Sequence, residues 1–139
     1  MVIIPTFSIS GTVADEQGDP LPDVTISIGE QQVATNDEGG YERSGFLAGT
    51  YSVTPDRDEF VFDPSAREIT VNDKESDATG VDFTATQKTY SISGSVTDTV
   101  ANPLGDAALT AGDTDTTSGS DGAYTLGGVL AGTYTVQVT

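Results

Sequence analysis

The sequence predicts an all-β chain of two antiparallel β-sandwich units in tandem, the second one incomplete. Three observations predict it. Apolar residues alternate with small polar ones over short runs. Glycine, proline and acidic clusters separate those runs. The chain also repeats itself at one fixed offset.

The strands follow from the alternation. Phe7, Ile9 and Val13 share one face of a first strand, with Ser8, Ser10 and Thr12 on the other. Val24, Ile26 and Ile28 make a second inward row, and Tyr51 with Val53 another. Phe60 with Phe62, Ile69 with Val71, and Val81 with Phe83 complete the first unit. Asp19-Pro20, Asp37-Glu38-Gly39-Gly40 and Asp63-Pro64 supply turn conformations that β-branched residues resist. No segment sustains a helical period. About seven short strands at this spacing read as an antiparallel sandwich.

The repeat is the strongest signal. Phe7-Ser-Ile-Ser-Gly-Thr-Val13 returns as Tyr90-Ser-Ile-Ser-Gly-Ser-Val96, Pro20-Leu21 as Pro103-Leu104, and Leu47-Ala-Gly-Thr-Tyr51 as Leu130-Ala-Gly-Thr-Tyr134. An offset of 83 residues aligns all three without a gap, and 19 of 50 aligned positions are identical. The organisation expected is an N-terminal apolar segment at 1–6, a complete sandwich at 7–86, a linker at 87–89 and a second sandwich at 90–139. The second copy stops opposite Asp56 and has no counterpart for Arg57 to Thr86. Gly11 and Gly94 interrupt their strands at equivalent places, which predicts a bulge or a close backbone approach.

Composition excludes several functions. The 139 residues carry 22 acids against 5 bases, a formal charge of −17, so non-specific binding to nucleic acid or anionic lipid is not expected. Cysteine and histidine are absent, which removes disulfides, thiolate metal sites and the usual general base. No apolar run reaches the ~20 residues of a membrane-spanning helix, and no signal peptide is visible. The acidity reads as a solvating surface, as adaptation to high salt, or as calcium chemistry.

These residues resemble the carboxypeptidase regulatory-like domain and, more loosely, the B-type repeats of bacterial surface adhesins. The shared motifs are Ile9 to Val13, Gly18 to Leu21, Asp37 to Tyr41 and Ala48 to Val53. The second copy departs in two places: Ala101 replaces the turn glycine, and Asp121 sits one place away from the first copy's acid. The resemblance implies an Ig-like, transthyretin-like sandwich in an exported protein, at the surface of a bacterium or archaeon. Some relatives carry Lys–Asn isopeptide links. Lys74 and Lys88 lie at no inward strand position, so no such link is expected.

The candidate sites are few. Asp37, Glu38 and Asp121 are calcium candidates in turns before a tyrosine, and Asp15, Glu16 and Asp19 cluster in another loop. Calcium needs six to eight oxygens around one point, whereas a turn Asp more often bonds its own backbone. No cofactor is implied. Chance pairs of acids are inevitable here, and short sandwich loops offer little cleft for glycosidase-type catalysis, so no enzyme activity is expected. The five tyrosines Tyr41, Tyr51, Tyr90, Tyr124 and Tyr134 alternate as core or corner residues rather than as a sugar-binding stripe.

The unfinished second copy supplies the functional expectation. Leu109, Leu126, Val129, Val136 and Val138 would line an open groove beside an unpaired sheet edge. Val2, Ile3 and Ile4 belong to the most apolar run of the chain and align by the offset with Ala85, Thr86 and Gln87. They are the candidate donor strand for the groove of a second molecule, giving head-to-tail self-association. The competing expectation is a segment of a longer array, completed by its own continuation. Either way the expected role is structural: part of an extracellular fibre, stalk or adhesin. The alternative is an accessory module of a secreted enzyme, as a spacer or a carbohydrate binder.

Overall fold

The computed structural model describes residues 3–139, and they form no helix. The chain divides into two compact units, Met1–Gln87 and Lys88–Thr139.

The first unit has eight strands: β1 (Phe7–Asp15), β2 (Thr25–Ile28), β3 (Gln31–Ala34), β4 (Gly40–Phe46), β5 (Gly49–Asp56), β6 (Phe60–Asp63), β7 (Arg67–Val71) and β8 (Phe83–Gln87). They make two four-stranded sheets, ordered β4-β1-β8-β6 and β3-β2-β5-β7. Ile9, Val13, Phe83 and Ala85 from the first sheet and Ile26, Ile28, Val53 and Val71 from the second join one buried core. This is the inward set of the period-two pattern. Two strands exceed the sequence expectation, β3 and β4. Both are edge strands, so polar residues such as Gln31, Gln32, Glu42 and Arg43 remain exposed and blur the alternation.

One pairing departs from the antiparallel pattern. β1 and β8 run parallel, with Val13 opposite Phe83 and Asp15 opposite Ala85. The remaining strand pairs of the unit are antiparallel. A parallel pair needs a long crossover, and the whole unit lies between these two strands.

The second unit has β9 (Tyr90–Ser95), β10 (Ala108–Ala111), β11 (Thr114–Thr117), β12 (Ala123–Val129) and β13 (Val136–Val138). They pair as β12-β9 and β11-β10-β13. These reproduce β4-β1 and β3-β2-β5 in register: Gly94 faces Tyr124 as Gly11 faces Tyr41, and Ala111 faces Val136 as Ile28 faces Val53. Its core is smaller, with Ala111, Leu126 and Val129 buried against Ile92, Tyr124, Tyr134 and Val136. Within residues 88–139 no strand corresponds to β6, β7 or β8.

The duplication extends to buried polar chemistry. Thr35 Oγ1 accepts from Val24 N–H at 2.9 Å and donates to the Leu21 carbonyl at 2.8 Å. Ser118 Oγ accepts from Ala107 N–H at 2.9 Å and donates to the Leu104 carbonyl at 2.7 Å. One hydroxyl thus satisfies a backbone donor and acceptor that would otherwise be stranded in each core.

Candidate interaction surface

The site is built on the edge of β1 and its repeat, β9. In the first unit this edge is covered. Ser10 N–H donates to the Ala78 carbonyl, Ala78 N–H to the Ser8 carbonyl, and Val81 N–H to the Ser10 carbonyl, at 2.9, 2.9 and 3.0 Å. Carboxylates from the covering segment add to this: Ser8 N–H donates to Asp77 Oδ1 at 2.9 Å and Thr12 N–H to Asp82 Oδ1 at 2.8 Å. The crossing is close at Gly11, where a Cβ would overlap the Val81 carbonyl. Only glycine admits that approach. Tyr41, opposite Gly11, donates its hydroxyl to the same carbonyl. Burial pushes the Tyr41 hydroxyl pKa well above its usual value, with the Asp82 carboxylate adding to the shift.

Among the described residues, no segment covers the equivalent edge of the second unit from Ser91 to Ser95. Ser91, Ser93 and Ser95 are the counterparts of Ser8, Ser10 and Thr12, and all three are exposed. Ile9 and Val13 are fully buried, whereas their counterparts Ile92 and Val96 are only partly so. Among the described residues, the three atoms nearest a Cβ on Gly94 are all side-chain atoms. A Cβ there would meet the Tyr124 side chain, 2.8 Å from its hydroxyl and 3.0 Å from Cζ. Tyr124 therefore rests over the glycine, in the place that the Val81 carbonyl takes over Gly11.

The residues assigned to the groove from sequence are distributed unevenly. Leu109, Leu126 and Val129 are buried, Val136 is half-buried, and Val138 is 53% exposed. The open surface lies instead along Ile92, Gly94, Val96 and Tyr124. Gly94 carried a legible signal, its match to Gly11; Tyr124 did not stand apart from the other alternating tyrosines. On the donor side, Ile3 and Ile4 are 77% and 66% exposed and belong to no strand. Val2 lies outside the described residues.

The acidic turns bind their own backbone. Asp15 Oδ1 accepts from Gln17 N–H and Asp19 N–H, both at 2.9 Å. Asp98 Oδ1 repeats this with Val100 N–H at 2.9 Å and Asn102 N–H at 3.0 Å. The Asn102 bond, then the Val100 bond, holds the Asp98 carboxyl below the usual carboxylate range. Asp121 Oδ1 accepts from Ala123 N–H at 3.0 Å. In the first copy Asn36, not Asp37, takes that role, accepting from Glu38 N–H and Gly40 N–H. Asp37 and Glu38 point to solvent. Among the described residues no three acids converge as a metal site.

The tyrosine corners are duplicated too. Tyr51 donates to the Leu47 carbonyl at 2.8 Å and Tyr134 to the Leu130 carbonyl at 2.9 Å. Beside Tyr51 lies an open cleft of about 530 Å³ lined in part by Gln31, Arg43, Phe46 and Leu47. No helix among the described residues is long and apolar enough to cross a membrane.

Two facing sheets, a parallel β1–β8 pair and a tyrosine of β4 bonded across β1 to the segment leading into β8 define a class of β-sandwich module. Residues 8–86 match the carboxypeptidase regulatory-like domain, and the chain belongs to that family. A search of curated proteins gives no significant match. Among solved structures the chain is similar to the Bacillus anthracis TIE protein, at 19% identity and a TM-score of 0.76, over 96% of this chain and 28% of that one. It is similar to the streptococcal ancillary pilin at 12% identity and a TM-score of 0.56, over 96% of this chain and 53% of that one. A mutant of the shaft pilin spaA from Lactobacillus rhamnosus GG gives 14% identity and a TM-score of 0.52, over 97% and 87%. The likeness is one of fold, and the chain spans under a third of the first structure and about half of the second.

Proposed function

We propose that this chain is a non-enzymatic structural module of an extracellular fibre, stalk or adhesin, joined head to tail to its neighbours by strand complementation. The open edge of β9 carries this reading. Beside its pairing with β12 it presents an outer edge, Ser91 to Ser95, where the first unit shows a covering segment, and strand addition is the physical remedy for such an edge. The exposed Ile3 and Ile4 are the donor in this reading, with Val2 beside them in sequence. Two of the fold's structural relatives being pilins supports a surface assembly. The charge of −17 suits a surface that resists non-specific contact.

Light scattering tests it. The purified chain should form species larger than a monomer, and deleting Val2 to Ile4 should return it to a monomer. Assembly that persists in the deletion variant would overturn the donor assignment.

The alternative, an accessory carbohydrate-binding module, draws on the cleft beside Tyr51, which presents Gln31 and Arg43 with the apolar Leu47. A glycan array separates the two readings: selective binding lost in Arg43→Ala would favour the alternative.

A further inference from the structure

We propose that the outer edge of β9 is a binding site for an extended strand of pattern Asp-Ala-x-Gly-Val-Asp-Phe-x-Ala, added parallel to β9. The inference rests on the strand-complementation reading and names the chemistry of the strand that reading requires.

The pattern comes from the chain's own first unit, where Asp77 to Ala85 lie on the equivalent edge. Each part of it meets a group that the second unit repeats. Asp77 and Asp82 accept from the N–H groups of Ser8 and Thr12, whose counterparts are Ser91 and Ser95. Ala78 exchanges backbone bonds with Ser8 and Ser10, the counterparts of Ser91 and Ser93. Val81, Phe83 and Ala85 are buried at 3%, 3% and 1% exposure and close the core over Ile9 and Val13. Ile92 and Val96 await the same cover.

Gly94 and Tyr124 are the second, independent observation. Gly11 is glycine because a carbonyl passes over it. Gly94 has the same strand position, but the atoms nearest its missing Cβ belong to the Tyr124 side chain rather than to a crossing carbonyl. It leaves room for a strand that crosses as residues 80–82 cross Gly11. Tyr124 fills that room in the free unit. On docking it swings aside and donates its hydroxyl to the incoming carbonyl, as Tyr41 donates to Val81. The donor segment Val2 to Ile4 supplies apolar side chains but neither acid of the pattern.

The test titrates the full ¹⁵N-labelled chain with a synthetic peptide of residues 77–87, alongside a scrambled peptide and a peptide of residues 1–6. The expected result is saturable shifts at Ser91 to Val96 and Tyr124 with the 77–87 peptide, at lower concentration than with residues 1–6 and absent with the scrambled peptide. Gly94→Val should abolish the response; the atoms nearest its Cβ belong to the movable Tyr124 ring, and the dispersion of the variant's amide spectrum checks that the unit still folds. Tyr124→Phe should weaken binding about two- to tenfold, the loss of one hydrogen bond. No response to the 77–87 peptide, or a response that Gly94→Val leaves intact, overturns the inference. A response to residues 1–6 alone also overturns it, while leaving the head-to-tail reading standing.

Discussion

The Tyr41 hydroxyl donates to the carbonyl of Val81, the same carbonyl that passes over Gly11. One contact thus ties β4 across β1 to the segment leading into β8. Its repeat, Tyr124 over Gly94, lacks the carbonyl, and the difference separates a closed sandwich from an open one.

Gly11→Ala should destabilise the first unit by about 2–3 kcal/mol, because the added methyl meets backbone that has no room to yield. Gly94→Ala should change the second unit by under about 1 kcal/mol, because it meets only the end of a side chain. Urea unfolding followed by NMR resolves the two units. Equal effects would contradict the asymmetry.

Thr35→Val should cost the first unit about 2–3 kcal/mol, since it strands the Val24 N–H and the Leu21 carbonyl in the core. Thr35→Ser keeps the hydroxyl and should cost about 1 kcal/mol or less, chiefly for the lost methyl. Ser118→Ala should loosen the second unit in the same way, read as faster amide exchange at Ala107.

Alkaline pH should unfold the first unit through Tyr41. Its folded pKa lies above the unfolded value of about 10, so the stability it contributes is complete below that pH. That contribution falls as pH rises past about 10 towards the folded pKa. Tyr41→Phe should be less stable at pH 8 and lose less stability between pH 9 and 11. Parallel melting curves for the two proteins would contradict this.

Salt should stabilise the chain and calcium should not do so specifically. The 22 acids outnumber the 5 bases, and the resulting net charge of −17 repels itself. Sodium chloride screens that repulsion and should raise the melting temperature progressively. Calcium at matched ionic strength should add nothing, because Asp15 and Asp121 already bond their own turns. A calcium-specific rise reversed by chelator would contradict the assignment.

Much of this architecture is legible in the sequence, for stated physical reasons. Period-two alternation at Phe7 to Val13 and Val24 to Ile28 marks strands with one buried face. β3 and β4 escape that reading because edge strands keep polar side chains. The parallel β1–β8 pair escapes it because alternation carries no direction. The site was half legible. The shared glycine of Gly11 and Gly94 announces a close approach, but which atom approaches is a tertiary fact. The groove assigned to Leu109, Leu126, Val129, Val136 and Val138 follows hydrophobicity; in the structure Leu109, Leu126 and Val129 are buried, Leu126 and Val129 within their own unit's core, and Val138 is exposed.

Negative-stain electron microscopy of the purified chain tests the central claim most directly. Head-to-tail complementation predicts regular filaments whose repeat spans two sandwich units, lost on deletion of Val2 to Ile4. Monodisperse particles at all protein concentrations, unchanged by that deletion, would contradict it.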